Sequence, residues 1–68
     1  MTTAAETADL RVAIEGLHEL ASRAEQWAGH CGRTGRKTDA KKAINVAGQY
    51  RRAAEWLDRI LARRETPT

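Results

Sequence analysis

Apolar residues recur at steps of three and four along two long stretches of the chain. In the first stretch the stripe reads Leu10, Ile14, Leu17, Ala21, Ala24 and Ala28. Such spacing keeps side chains on one face of an α-helix. Ala13, Leu20 and Trp27 lie beside this stripe and widen it. The pattern predicts a helix over residues 5–29, with Thr3 or Thr7 as its N-cap.

The second stripe has the same alternation and reads Ala43, Ala47, Tyr50, Ala54, Leu57 and Leu61. Val46, Ala53 and Ile60 lie beside it. It predicts a second helix over residues 39–64. Thr38 is a suitable N-cap for this helix, and Asp39 would lie in the first turn, where a carboxylate is favoured by the helix dipole.

Three glycines interrupt the periodicity between the two stretches, in residues 29–38. Glycine permits left-handed backbone conformations that end a helix, so we expect a basic loop here and a reversal of chain direction. The chain, residues 1–68, is therefore predicted to be a single all-α domain, an antiparallel two-helix hairpin. Folding back at this loop would bring Leu17 close to Tyr50 and Leu10 close to Leu57.

A pair of helices leaves much of each apolar stripe exposed, and 68 residues provide only a small core. We expect two hairpins to associate as a four-helix bundle, which would cover these surfaces. The alternative is a monomer with a loosely covered stripe. The residues expected to contact a second copy or another protein are Leu10, Leu17, Trp27, Tyr50, Trp56, Leu57, Ile60 and Leu61.

Charge is distributed unevenly along the chain. Residues 1–28 contain five acidic and two basic residues, whereas residues 29–68 contain four acidic and ten basic residues. Pairing of Glu15 and Glu19 with Arg51 and Arg52 is expected to balance part of this difference. The cations near the loop lack such partners, and they are candidates for contact with phosphate or an acidic protein surface: Arg33, Arg36, Lys37, Lys41 and Lys42. The alternative is a solvated turn that only aids solubility.

No stretch of the sequence matches a known catalytic or metal-binding pattern. The run from Gly32 to Thr38 lacks the spacing of a phosphate-binding loop, G-x-x-x-x-G-K-[ST]. His18, His30 and Cys31 do not form a closed zinc pattern, and no third group supports Cys31 as a nucleophile. We therefore expect no enzymatic activity, no cofactor and no metal site.

The N-terminal residues lack the basic and apolar segments of a secretory signal, and no stretch has the roughly twenty apolar residues of a membrane span. With a single cysteine, these features indicate a cytoplasmic protein. The abundance of alanine and arginine suggests a bacterial or bacteriophage origin.

The function expected from these features is that of a small protein–protein interaction module, such as a regulator or inhibitor, that binds itself and another protein. The alternative is a nucleic-acid-binding protein that uses the basic loop on phosphates. A peptide lying on a membrane surface is a third option, which the small apolar area of an alanine-rich stripe disfavours.

Overall fold

The computed structural model describes residues 4–65, which form two long helices joined by a short turn. Helix α1 comprises Ala4–Arg33 and helix α2 comprises Lys37–Glu65. The helices pack against each other along an elongated body of 51 × 18 × 11 Å. Contact between Arg11 near the start of α1 and Glu65 at the end of α2 establishes their antiparallel orientation. The predicted all-α, two-helix hairpin is confirmed.

The turn is much shorter than the predicted loop, because α1 continues through Gly29 and ends at Arg33. Only Gly35, with φ of 82°, takes the left-handed conformation that stops the helix. The amide of Arg36 donates to the carbonyl of Cys31 at 2.7 Å, and that of Gly35 donates to the carbonyl of Gly32 at 3.5 Å. These bonds form a Schellman motif, which satisfies carbonyls at the end of α1.

Helix α2 begins earlier than the sequence suggested. The amide of Ala40 donates to the carbonyl of Arg36 at 2.9 Å, so the helical hydrogen bonding starts at Arg36. Thr38, the predicted N-cap, therefore lies inside the helix, and that prediction is wrong. Asp39 does lie in the first turn. At the start of α1, Thr7 lies inside the helix, and Thr3 lies outside the described residues.

The interior of the hairpin is a narrow line of buried side chains between the helices, here called the seam. Most residues of the seam are alanines. Three seam residues, Ala21, Cys31 and Ala54, are completely buried. Since an alanine side chain ends at Cβ, such positions allow two helices to pack closely. The seam consists of Ile14, Ala21, Ala28 and Cys31 from α1, and of Ala43, Ala47, Ala54 and Leu61 from α2.

Larger apolar residues fill the end of the hairpin away from the turn. Leu10, Leu17 and Leu57 are partly buried and pack against a cluster of Ile14, Ala54 and Leu61. Leu17, which the sequence placed close to Tyr50, packs against this cluster.

Candidate interaction surface

One side of the hairpin is closed by polar contacts between the helices. Arg51 pairs with Glu25, and its Nη1 atom lies 3.3 Å from His18 Nδ1, which accepts because a guanidinium can only donate. Arg11 pairs with Glu65 on the same side. We call this the ion-paired side. The expected partners of Arg51 were Glu15 or Glu19, but Glu19 instead pairs within α1, with Arg23 at 2.8 Å.

The opposite side of the hairpin is mostly apolar, although the Glu6–Arg64 ion pair, at 3.8 Å, joins the helices there near the open end. Two helix positions flank each seam residue on opposite sides of the seam. One is four residues after the seam residue, and the other is the residue directly before it. Glu25 and Arg51 are each four positions after a seam residue, Ala21 and Ala47, and they contact each other. The residues that precede the seam positions must therefore face the other side. They are Ala13, Leu20, Trp27 and His30 on α1, and Lys42, Val46, Ala53 and Ile60 on α2.

We refer to the six apolar residues of this set, which are all but His30 and Lys42, together with the adjacent Trp56, as the apolar face. Trp56 is 61% exposed, Trp27 49% and Leu20 42%. Isolated exposed apolar residues are common on monomers, but aligned large side chains of this kind mark an interaction surface. The ring of Trp27 also stacks on His30, with centroids 5.3 Å apart, and this contact supports the orientation of the indole on the surface.

The structure separates the predicted contact residues into two groups. Three of them, Trp27, Trp56 and Ile60, belong to the apolar face, where Ile60 is half-buried and the tryptophans are exposed. The other five lie along the contact between the helices, where Leu61 is buried and the rest are half-buried: Leu10, Leu17, Tyr50, Leu57 and Leu61.

Four members of the apolar face were missing from the predicted contact set, Ala13 and Ala53 as well as the larger Leu20 and Val46. All four are exposed, Val46 by 39%. In the sequence they belong to a second apolar line, which repeats every seven residues. Each residue of this line directly precedes a residue of the buried line. That line is visible in the sequence, but the register and the side on which it lies depend on how the helices pair.

The predicted basic residues all lie near the turn and are exposed. Arg33 ends α1, Arg36 lies in the turn, and the three lysines occupy the first turns of α2. Within residues 4–65, none of these five cations has an ion-pair partner. Lys37 and Lys41 border a shallow recess with Gly32 and Ile44. The arrangement leaves a concentrated positive charge at the end of the molecule.

The reactive side chains are kept apart. Cys31 is a free thiol that is fully buried in the seam, whereas the neighbouring His30 faces outward against Trp27. In the described part of the chain, no three His, Cys, Asp or Glu residues are grouped in a way that would hold a metal ion. Neither helix, over the residues described, is long and apolar enough to cross a membrane.

In comparisons with protein-family models, curated proteins and solved structures, no significant match to this chain was found.

Proposed function

We propose that this protein is a non-enzymatic interaction module that associates with a second copy through its apolar face, forming a four-helix bundle. The observation that carries the proposal is the contrast between the two sides of the hairpin. One side has the Arg51–Glu25 and Arg11–Glu65 pairs between the helices and one exposed isoleucine, Ile44. The other has the single Glu6–Arg64 pair near the open end and exposes aligned leucine, valine and tryptophan side chains. A surface of this kind gains free energy when another apolar surface covers it.

The small apolar core of the hairpin supports the same proposal. The middle of the seam is built from alanines, which bury little apolar area on folding. By contrast, Leu20 and Val46 are more than a third exposed. Burying a side chain of this size completely contributes about 1.5–3 kcal/mol, so covering the apolar face would add substantially to a small core. Two hairpins sharing this face would bury it on both copies at once.

In this role Lys37 and Lys41, which border a recess with Ile44 away from the apolar face, would contact an acidic surface on another protein, as a small regulator or inhibitor does. The free thiol of Cys31 suits a reducing compartment, and we propose the cytoplasm as its location.

Sedimentation across a concentration series tests the proposal. We expect the wild-type chain to sediment as a dimer, and Leu20→Lys to shift it to a monomer because a charged side chain would enter the contact. Val12→Lys is the matched control, since Val12 is 68% exposed and lies away from the apolar face. A wild-type chain that stays monomeric at millimolar concentration, or equal effects of the two substitutions, would contradict the proposal.

A second function, phosphate contact with a nucleic acid, is favoured by the five exposed cations near the turn, for which residues 4–65 provide no ion-pair partner. Such binding would be insensitive to base sequence and would weaken steeply with salt. Replacing Arg36, Lys37, Lys41 and Lys42 together with glutamine should abolish it and leave the association state unchanged. Absence of any salt-dependent shift of a mixed DNA or RNA by the wild-type chain would exclude this function.

A further inference from the structure

Resting on the proposed self-association, we infer that the two copies pack in opposite directions, with the loop end of one hairpin beside the open end of the other. The loop end comprises residues 27–46, and the open end comprises residues 4–16 and 55–65. The twofold axis of this dimer crosses the helices near Leu20, so each apolar face lies on its partner with reversed polarity. The side-chain sizes and the charges of the two ends support this orientation independently.

Along α1 the side chains of the apolar face increase in size toward the turn, whereas α2 has Trp56 and Ile60 at the open end. By the register of the seam, Ala13 lies at the open end, Leu20 in the middle, and Trp27 beside Val46 at the loop end. In an opposed dimer, Trp27 of each copy meets the small Ala13 of the other, and the two Leu20 side chains meet on the axis. A dimer with both loops at the same end would instead crowd both Trp27 and both Val46 side chains into one layer. Well-packed layers of even volume are favoured, because overpacking and cavities both destabilise.

The charges of the two ends are also complementary. The loop end contains five basic residues and one acidic residue, whereas the open end contains four basic and six acidic residues. A dimer with both loops at the same end would place two positive ends side by side, where they repel each other. The opposed dimer places each positive end beside a negative one, and such complementarity favours one orientation over another.

A distance measurement between two spin labels tests the orientation. The label is attached at Arg36→Cys in a Cys31→Ala background, so that the turn carries the only thiol. With the axis near Leu20 and a rise of 1.5 Å per residue, the two turns of an opposed dimer lie about 50 Å apart. If both loops lie at the same end, helices packed 8–10 Å apart bring the labels within about 30 Å of each other. The shorter distance would overturn the inference and leave the proposed dimer intact. Absence of a dipolar signal, with monomeric sedimentation, would overturn both.

A complementary substitution pair tests the contact between Ala13 and Trp27. Ala13→Trp should weaken dimerisation about tenfold or more, because two tryptophans then meet at each end of the opposed interface. Adding Trp27→Ala should restore most of the lost affinity, since the large and small partners are merely exchanged. The matched control combines Ala13→Trp with Val12→Ala, which changes a nearby residue outside the apolar face and should restore nothing. Failure of Trp27→Ala to rescue a dimer that still forms would overturn the opposed orientation.

Discussion

Two apolar lines run side by side along α2, offset by a single residue. The line Ala47, Ala54 and Leu61 is buried in the seam, whereas in the line Val46, Ala53 and Ile60 the first two are exposed and Ile60 is half-buried. Both repeat every seven residues, so periodicity alone does not distinguish them. The comparison teaches that the line used within the hairpin is the one with the smaller residue near the turn, Ala47 in place of Val46, since both lines have alanine in the middle. The line with larger side chains near the turn remains available for a second chain.

The largest expected effect is the loss of stability when Leu61 is truncated, compared with truncation of its neighbour Ile60. Leu61→Ala should lower the free energy of unfolding by about 2–4 kcal/mol, because a buried leucine is removed and the surrounding cluster relaxes only in part. Urea denaturation at two protein concentrations measures the change. Ile60→Ala should lower stability mainly at the higher concentration, where dimers form. Equal losses from the two substitutions at low concentration would remove the distinction between seam and apolar face.

A smaller effect is expected from filling the middle of the seam. Ala54 is completely buried, so Ala54→Leu should force the helices apart and cost about 1–3 kcal/mol of stability. Ala53→Leu is the control, since Ala53 is exposed and its added side chain would remain in solvent within a single hairpin. Thermal melts of both variants followed by circular dichroism give the comparison. A more stable Ala54→Leu variant would show that the seam contains unfilled space.

The register of the seam depends on the turn, and Gly35→Ala tests this dependence. A Cβ atom at φ of 82° is strained, so we expect a loss of about 1–2 kcal/mol. Gly16→Ala provides the contrast, because Gly16 lies within α1 with open space around it. That substitution should stabilise the helix by roughly 0.5–1 kcal/mol. Chemical denaturation of both variants measures the difference, and a neutral Gly35→Ala would argue against the described turn.

The ion-paired side should contribute least. Glu25 and Arg51 are both about half exposed, so solvent and salt screen their attraction. Glu25→Gln is expected to cost less than about 1 kcal/mol, and the difference should vanish in 1 M salt, where the screening length falls to about 3 Å. Glu15→Gln, which removes an exposed carboxylate outside these pairs, should have no measurable effect. A loss that persists in high salt would mean that Glu25 acts through packing.

The helices and their apolar faces could be predicted from the sequence because helical periodicity is a local property. The position of the turn could not, since three glycines compete to end α1 and only Gly35 takes a positive φ. With the turn misplaced, the sequence assigned Arg51 to Glu15 or Glu19 in place of Glu25. The candidate surface was predicted in part: both tryptophans and Ile60 were named, whereas its other members, Leu20 and Val46 among them, were not.

The sequence by itself determined that this chain forms two amphipathic helices, that they fold back on each other, and that positive charge collects near the reversal. Only the tertiary structure decided which apolar line becomes the seam and which becomes the apolar face. The physical reason is that neighbouring lines on a helix lie on different sides of the contact. Their burial depends on the rotation and register of the partner helix, which the conformation of Gly35 and the packing of small side chains determine together.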